Sequence, residues 1–309
     1  MKFYLAPMEG VTSYLYRNAY QNCFGFVDKY YAPFIVASEH RTMSKREIND
    51  ILPENNNGLT LVPQILTNKA ADFISTAKAI QLLGYEEINL NLGCPSGTVV
   101  AKGKGAGFLA RPDALDSFLE DIFAKLTVEI SIKTRIGKVD PEEFSELIQI
   151  FNKYPIKELT IHPRIQTDYY KNRPNWNVFK EALAVSKNPI CYNGDIFTKE
   201  DYAHFISKFP EVDRMMLGRG VIKNPFLVGQ ILNDDKIDRK KLKSFHDRIY
   251  GEYQKLLFGD RNILFKMKEL WVYLIELFPD SHKELKQIKK SQRLAEYETA
   301  VSALFESSR

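Results

Sequence analysis

Cys94 lies in the stretch NLGCPSGTVVAKGKGAG (91–107), at the exit of an apolar run and ahead of a loop of glycines and lysines. A structural cysteine normally sits inside a packed element; one at an exit reads either as a small buried hydrophobe or as a group placed for chemistry. Two chemistries are open to it. A thiol of ordinary pKa, about 8.5, stays protonated near neutral pH and can give up a proton. A nucleophilic thiolate needs a neighbouring base and a lowered pKa; no histidine adjoins Cys94 in sequence, although His162 can approach it in space. Gln64 offers a two-way amide suited to the edge of a heterocycle. Lys133 stands in ISIKTRIG, otherwise apolar at alternate positions. It reads either as a cation facing an anionic cofactor or as a snorkelling surface side chain. His162 likewise reads as a satisfied core residue or as a functional one. Asn193-Gly194-Asp195 and Gly218-Arg219-Gly220 supply small residues whose backbone amides can approach a ligand closely. As an adjacent pair they fit a phosphate, with Arg219 as a charge-assisted donor.

These residues need elements to hold them. Strand-like runs occur at 3–8, 28–36, 59–66, 87–93, 129–137, 158–164, 189–196 and 214–220, with amphipathic stretches at 68–85, 112–126 and 141–154 between several of them. Strand followed by helix, repeated, predicts parallel strands joined by right-handed crossovers. Eight such strands predict an α/β fold of the (β/α)8 TIM-barrel type. A doubly wound sheet fits less well, because no strand–GxGxxG–helix unit stands near the start. Barrels of this type carry functional residues at the carboxyl ends of their strands. That is where the polar groups fall: Pro7-Met8-Glu9-Gly10 after strand one, Gln64 on three, Asn91 and Cys94 on four, Lys133 and Arg135 on five. His162 and Arg164 follow on six, Asn193–Asp195 after seven and Gly218–Gly220 after eight.

From about Asp235 the chain reads as three helices with few strand signals, and NDDKID (233–238) reads as a linker. The predicted domains are therefore a barrel over 1–232 and a smaller all-α domain over 239–309. Residues 236–309 hold 16 Lys and Arg against 11 Asp and Glu, a balance of +5, whereas the rest hold 27 against 28. Such asymmetry suits a polyanionic partner or a solvated helical face. No apolar run approaches membrane-spanning length, and MKFYLAPMEG lacks a signal-peptide layout. Three widely spaced cysteines, Cys23, Cys94 and Cys191, predict neither a disulfide framework nor a metal site. The expected setting is the cytoplasm, and the expected state a monomer without a membrane or protein partner.

APMEGVT (6–12), NLGCPSGTVVAKGKGAGFL (91–109), SIKTRIG (131–137), TIHPR (160–164), YNGDI (192–196) and MLGRG-x3-NP (216–225) resemble, in order, the motifs of the tRNA-dihydrouridine synthases, in their bacterial form. Asn-x-x-Cys-Pro followed by a glycine-rich loop is the specific one. The chain departs from the family at Ser96-Gly97-Thr98, where a lysine is common, and at Asn172, where a glycine is common. The resemblance implies FMN-dependent reduction of the C5=C6 bond of a D-loop uridine in tRNA, with NADPH (or NADH) as reductant. It implies Cys94 as the catalytic acid and Pro7, Met8 and Glu9 as the lining of the flavin. Gln64, Lys133 and His162 would contact its ring and ribityl chain. Asn193, Gly194, Asp195, Gly218 and Arg219 would hold the phosphate end. Asn91 would lie beside the extruded uracil, with Tyr170, Lys266, Lys268, Tyr273 and Lys290 as further tRNA contacts. The glycines after Cys94 would permit a mobile loop, with Lys102 and Lys104 meeting the RNA backbone. The competing reading is an FMN barrel acting on a free pyrimidine, similar to dihydroorotate dehydrogenase, whose small substrate needs no basic helical tail.

Overall fold

A computed structural model describes residues 1–38 and 43–307; the last two residues of the predicted 239–309 domain lie outside it. Ten strands run parallel: β1 (Lys2–Leu5), β2 (Lys29–Tyr31), β3 (Ile35–Val36), β4 (Leu61–Val62), β5 (Gln64–Leu66), β6 (Glu87–Leu92), β7 (Glu129–Arg135), β8 (Leu159–His162), β9 (Ile190–Tyr192) and β10 (Arg214–Leu217). Their order is β3-β5-β6-β7-β8-β9-β10-β1-β2-β4. The apparent ends of this order meet. β2 pairs with β4 through Tyr30–Leu61 and Tyr31–Val62, and β3 pairs with β5 through Ile35–Ile65 and Val36–Leu66. β2 and β3 are thus halves of one interrupted strand, and β4 and β5 halves of the next. The sheet has the closed, eight-position connectivity of a (β/α)8 barrel.

The two interruptions have a local cause. Proline has no N–H to give to a ladder, and Pro63 separates β4 from β5 while Pro33 lies between β2 and β3. Pro63 keeps its acceptor side, taking a hydrogen bond from the Asn89 backbone at 2.9 Å. Sequence periodicity predicts 28–36 and 59–66 as continuous strands; these prolines divide them.

Side chains alternate across each strand. Ile88, Leu90 and Leu92 on β6, Ile130 and Ile132 on β7, and Leu159 and Ile161 on β8 form one face and are buried. Four helices, Ala70–Gln81, Pro112–Lys125, Glu143–Phe151 and Trp176–Val185, bury their own apolar stripes in the same body. Phe73 and Phe118 meet edge-on at 5.9 Å, each such burial contributing about 2 kcal/mol. The other face is divided. Tyr4, Ala6, Tyr31, Val62, Cys191 and Met216 make an apolar cluster, whereas β5 to β8 present Gln64, Asn89, Asn91, Ser131, Lys133, Thr160 and His162. Glu158, at the amino end of β8, is buried and accepts from the hydroxyls of Tyr4 (3.0 Å) and Tyr31 (3.1 Å). Burial pushes its carboxyl pKa up.

A second compact body gathers Met8–Val27, Ile196–His204 and Gly218–Arg309. Its helices are Tyr14–Cys23, Arg219–Lys223, Leu227–Asn233, Arg239–Leu256, Asp260–Leu274, His282–Lys290 and Leu294–Ser307. Its core is aromatic: Phe24 and Phe245 meet at 5.3 Å, and Tyr16 and Phe245 at 5.4 Å. Further along, His246 Nε2 and the Trp271 indole N–H converge on the Tyr297 hydroxyl at 2.6 and 2.8 Å. The third predicted tail helix is two, broken at Ser291–Arg293, where Leu294 restarts with its N–H on the Asp260 carboxylate. None of the helices among the described residues is long and apolar enough to cross a membrane.

Candidate active site

The exit of β6 is built around Asn91. Its Oδ1 accepts from the backbone N–H groups of Gly93 (3.1 Å) and Cys94 (2.9 Å), a side-chain-to-backbone turn that sets where the thiol begins. Its Nδ2 donates to Gln64 Oε1 at 2.7 Å. Gln64 Nε2 donates to Asn89 Oδ1 at 2.7 Å, and Asn89 Nδ2 to Ser131 Oγ at 3.0 Å. Gln64, Asn89 and Ser131 are wholly buried. The structure thus brings Gln64, Asn91 and Cys94 together, and adds Asn89 and Ser131, to which the sequence reading gave no role. The signal for Asn89 was present as Asn-x-Asn at period two in an apolar strand.

The loop after Cys94 is folded. Gly97–Val100 is a short helix and Gly105–Ala110 a 3₁₀ turn, with Gly105–Leu109 buried. Its glycines have a packing reason. A Cβ on Gly105 (φ +56°) would stand 2.8 Å from the Cys94 carbonyl oxygen, and one on Gly107 2.7 Å from that of Val100. The Ala106 N–H donates to the Cys94 carbonyl at 3.1 Å, closing the loop onto the cysteine. Lys104 Nζ reaches the Ala37 carbonyl at 3.4 Å.

Lys133 pairs in register with Asn91 on β6 and Thr160 on β8. The protein surrounds it closely, though the side chain retains some solvent contact. Desolvation, and secondarily the charge of Arg135, pull its ammonium down from 10.5 to about 8. Among the described residues, the groups acting on it in the opposite sense are Cys191 and Cys94, and neither is a carboxylate.

Two buried arginines organise the neighbouring loops. Arg135 donates to the carbonyls of Gly93 (3.1 Å), Ile165 (2.7 Å) and Tyr169 (2.7 Å), fastening the cysteine turn to the loop that follows β8. Gln166 adds a bond to the Pro95 carbonyl at 3.0 Å. The Arg135 guanidinium lies 5.4 Å from the Tyr170 ring centre, and Tyr170 tilts against His162 at 6.1 Å. Arg164 pairs with Asp195 through both guanidinium nitrogens, one at 3.0 Å, and donates to the Asn172 carbonyl at 2.6 Å. It also meets His162 Nε2 at 3.0 Å. A guanidinium only donates, so His162 Nε2 accepts and the ring proton belongs to Nδ1. Asn193 Nδ2 donates to the Met216 carbonyl at 2.7 Å. Gly194 is required sterically, since a Cβ there would fall 2.0 Å from the Tyr192 hydroxyl.

The remaining predicted residues lie in the second body, apart from Pro7, which follows β1 in the first. The Met8 N–H donates to the Thr12 hydroxyl at 2.8 Å, and Glu9 leads into Gly10 at φ +83°. Lys266 Nζ donates to the Gly10 carbonyl and pairs with Glu269, both at 3.1 Å. Gly218 caps the Arg219–Lys223 helix, and the Arg219 guanidinium lies 5.3 Å from the Phe197 ring. Lys268 Nζ donates to the Ser291 carbonyl at 2.5 Å. Tyr273 is half-buried near the end of its helix, and Lys290 lines a groove with Lys283 and Lys286. Lys266 and Lys268 therefore brace the helical body through carbonyls, while Lys290 stands in a cationic surface.

Among the described residues, no cluster of His, Cys, Asp and Glu is placed to hold a metal. The barrel can present to a ligand the Cys94 thiol, an oriented amide and the Lys133 ammonium.

The chain resembles "Probable tRNA-dihydrouridine synthase 2" of Bacillus subtilis (strain 168), 27% identical over 230 residues covering 72% of this chain and 70% of that protein. A "Probable tRNA-dihydrouridine synthase" of Staphylococcus aureus (strain COL) is 28% identical over 231 residues, 72% of this chain and 69% of that one. Among solved structures, a variant of NCR from Zymomonas mobilis superposes with a TM-score of 0.55 at 14% identity, covering 79% of this chain and 90% of that one. Morphinone reductase gives 0.51 at 11%, covering 79% and 88%. At such identities these likenesses establish the fold. The family model described as "Dihydrouridine synthase (Dus)" matches residues 4–306, nearly the whole sequence, and the chain belongs to that family.

Proposed function

We propose that the protein is an FMN-dependent tRNA-dihydrouridine synthase that reduces the C5=C6 bond of a D-loop uridine, with NADPH as the source of electrons. The observation that carries this reading is the Cys94 thiol at the carboxyl end of β6, where the Asn91 carboxamide holds its backbone N–H. The polar side of the barrel fits a flavin: Lys133 is a deeply set cation with no acidic neighbour among the described residues, suited to a ring that gains negative charge on reduction. When bound, the reduced flavin supplies hydride to C6.

The chain's own residues do the rest. Cys94 gives its proton to C5; the S–H bond breaks, and the thiolate left behind regains a proton from solvent. His162, accepting from Arg164 at Nε2, presents an Nδ1–H donor rather than a base for the thiol. Gln64, Lys133 and His162 contact the ring and ribityl chain, and Pro7, Met8 and Glu9 line it. Asn193, Gly194, Gly218 and Arg219 hold the phosphate end. Asp195 joins them through its backbone, because Arg164 neutralises its carboxylate. Asn91 and Tyr170 border the extruded uracil. Residues 1–232 supply the catalytic groups and 239–309 the tRNA-binding ones, with Lys266, Lys268, Tyr273 and Lys290 on the RNA side. Phosphate contacts from this basic region position the RNA without reading its sequence. The protein acts as a monomer in the cytoplasm.

The test is to map dihydrouridine in tRNA from a strain lacking the gene, then restore the wild type or Cys94→Ala. The wild type restores one or more D-loop dihydrouridines. Cys94→Ala retains the yellow flavin and its reduction by NADPH but loses most uridine reduction. Normal tRNA reduction by Cys94→Ala overturns the acid assignment, and unaltered tRNA in the deletion strain overturns the function.

A further inference from the structure

The amides behind Cys94 have a fixed direction, and it can be worked out by elimination. The backbone N–H groups of Gly93 and Cys94 only donate, so the Asn91 atom 3.1 and 2.9 Å from them is its oxygen. The Asn91 nitrogen therefore points at Gln64, whose facing atom, 2.7 Å away, must accept and is Oε1. Gln64 then has only its nitrogen for Asn89, 2.7 Å away, so Asn89 presents oxygen there and nitrogen to Ser131. At the far end the Ser131 hydroxyl can donate or accept and imposes no direction. Direction enters at the cysteine turn and is passed inward, from one wholly buried carboxamide to the next.

We propose that Asn89 is a positioning residue. The relay Ser131–Asn89–Gln64–Asn91 holds the Cys94 thiol in place and fixes which of its two edges Gln64 turns toward the bound ring. One Nε2 proton and one Oε1 lone pair of Gln64 remain after the relay is satisfied, so the residue offers a donor and an acceptor in a single, non-interchangeable order. Without Asn89 the Gln64 carboxamide loses the partner that distinguishes its two ends, and Asn91 is no longer braced against the turn. The part concerning the ring rests on the proposed flavin site; the part concerning the thiol does not.

Two substitutions separate a relay from mere packing. Asn89→Leu keeps the branched shape and removes both bonds. Asn89→Asp can only accept from Gln64 Nε2, which is what the deduced direction requires, while the Ser131 hydroxyl turns to donate to the other carboxylate oxygen. A relay running the opposite way would set two acceptors face to face. The readout is alkylation of Cys94 by iodoacetamide on the purified full-length holoenzyme, followed by mass spectrometry with Cys23 as internal reference. Asn89→Leu should raise the Cys94 rate relative to Cys23 about fivefold, the equivalent of one lost hydrogen bond, and shift the bound flavin's absorption band. Asn89→Asp should leave both unchanged. The inference is overturned if the leucine variant matches the wild type, or if the aspartate variant matches the leucine variant. Should Asn89→Leu fail to fold, judged by circular dichroism, the aspartate variant alone decides: a several-fold faster Cys94 refutes the direction. A protein that bound no flavin would remove the functional reading, yet the alkylation comparison would still decide the relay.

Discussion

Lys133 is the residue at which stability and function most directly oppose each other. Its ammonium is depressed from 10.5 to about 8, chiefly by desolvation. At about 1.4 kcal/mol per pH unit, keeping it charged in the flavin-free protein costs up to about 3 kcal/mol at pH 7. The residual solvent contact of the side chain makes this an upper bound. Lys133→Met, similar in length and uncharged, should therefore stabilise the flavin-free protein near neutrality while weakening its hold on an anionic ring. The pH dependence identifies the cause. Below about pH 8 both folded and unfolded chains keep the proton and the cost is constant. Between about 8 and 10.5 the unfolded chain binds the proton more, so wild-type stability rises with pH. The advantage of Lys133→Met should accordingly shrink to about 1 kcal/mol by pH 10. Urea unfolding of both flavin-free proteins at pH 7 and pH 10 measures this, and taking the difference cancels titrations the two proteins share. A methionine variant less stable at pH 7, or an advantage that does not shrink, would refute the account of a desolvated cation.

Glu158→Ala leaves the buried hydroxyls of Tyr4 and Tyr31 without their acceptor and should cost about 2–5 kcal/mol by urea unfolding; a change below 1 kcal/mol, roughly the net value of one such bond, would mean that the barrel floor does not depend on it. Because burial raises the Glu158 pKa, wild-type stability relative to Glu158→Gln should fall as pH rises from the ordinary carboxylate range through the raised value. Gly194→Ala places a methyl on Tyr192, whose ring is stacked on Phe205 at 4.0 Å and whose hydroxyl accepts from the Trp176 indole N–H at 3.0 Å. It should lower the melting temperature by the equivalent of about 1–3 kcal/mol of overpacking, and an unchanged melt would show that the tyrosine moves freely. Replacing Lys286 and Lys290 by glutamine should weaken tRNA binding and reduce the slope of log K against log salt by about two. Filter binding over a salt series would show an unaltered slope if that groove does not meet phosphate.

Much of the barrel was legible because its signals are local. Apolar alternation located the strands, and polar residues on or just after them made Gln64, Asn91, Cys94, Lys133 and His162 candidates. The prolines at 33 and 63 carried a readable warning that two strands would be interrupted. Asn89 was overlooked because a mid-strand asparagine looks like any polar residue until its cross-strand partners are known. Gly105 and Gly107 suggested a loose loop, since a glycine permitting mobility and one permitting close contact are the same letter. The contacts that decide between them, Cys94 and Val100, depend on how the loop turns back. The tail's third helix broke at Ser291–Arg293 for a reason equally invisible locally, as Asp260 receives the N–H of Leu294 from 34 residues away.

By itself the sequence determined element types, the parallel alternation, and which residue types stand at the strand exits, because periodicity and turn chemistry act within a few residues. Only the tertiary structure decided the direction of each amide behind Cys94, the tautomer of His162 and the depression of Lys133. It also decided that residues 8–27 fold into one body with 218–309. Those properties belong to register, burial and hydrogen-bond partners far apart in the chain, which the folded protein alone brings within reach of one another.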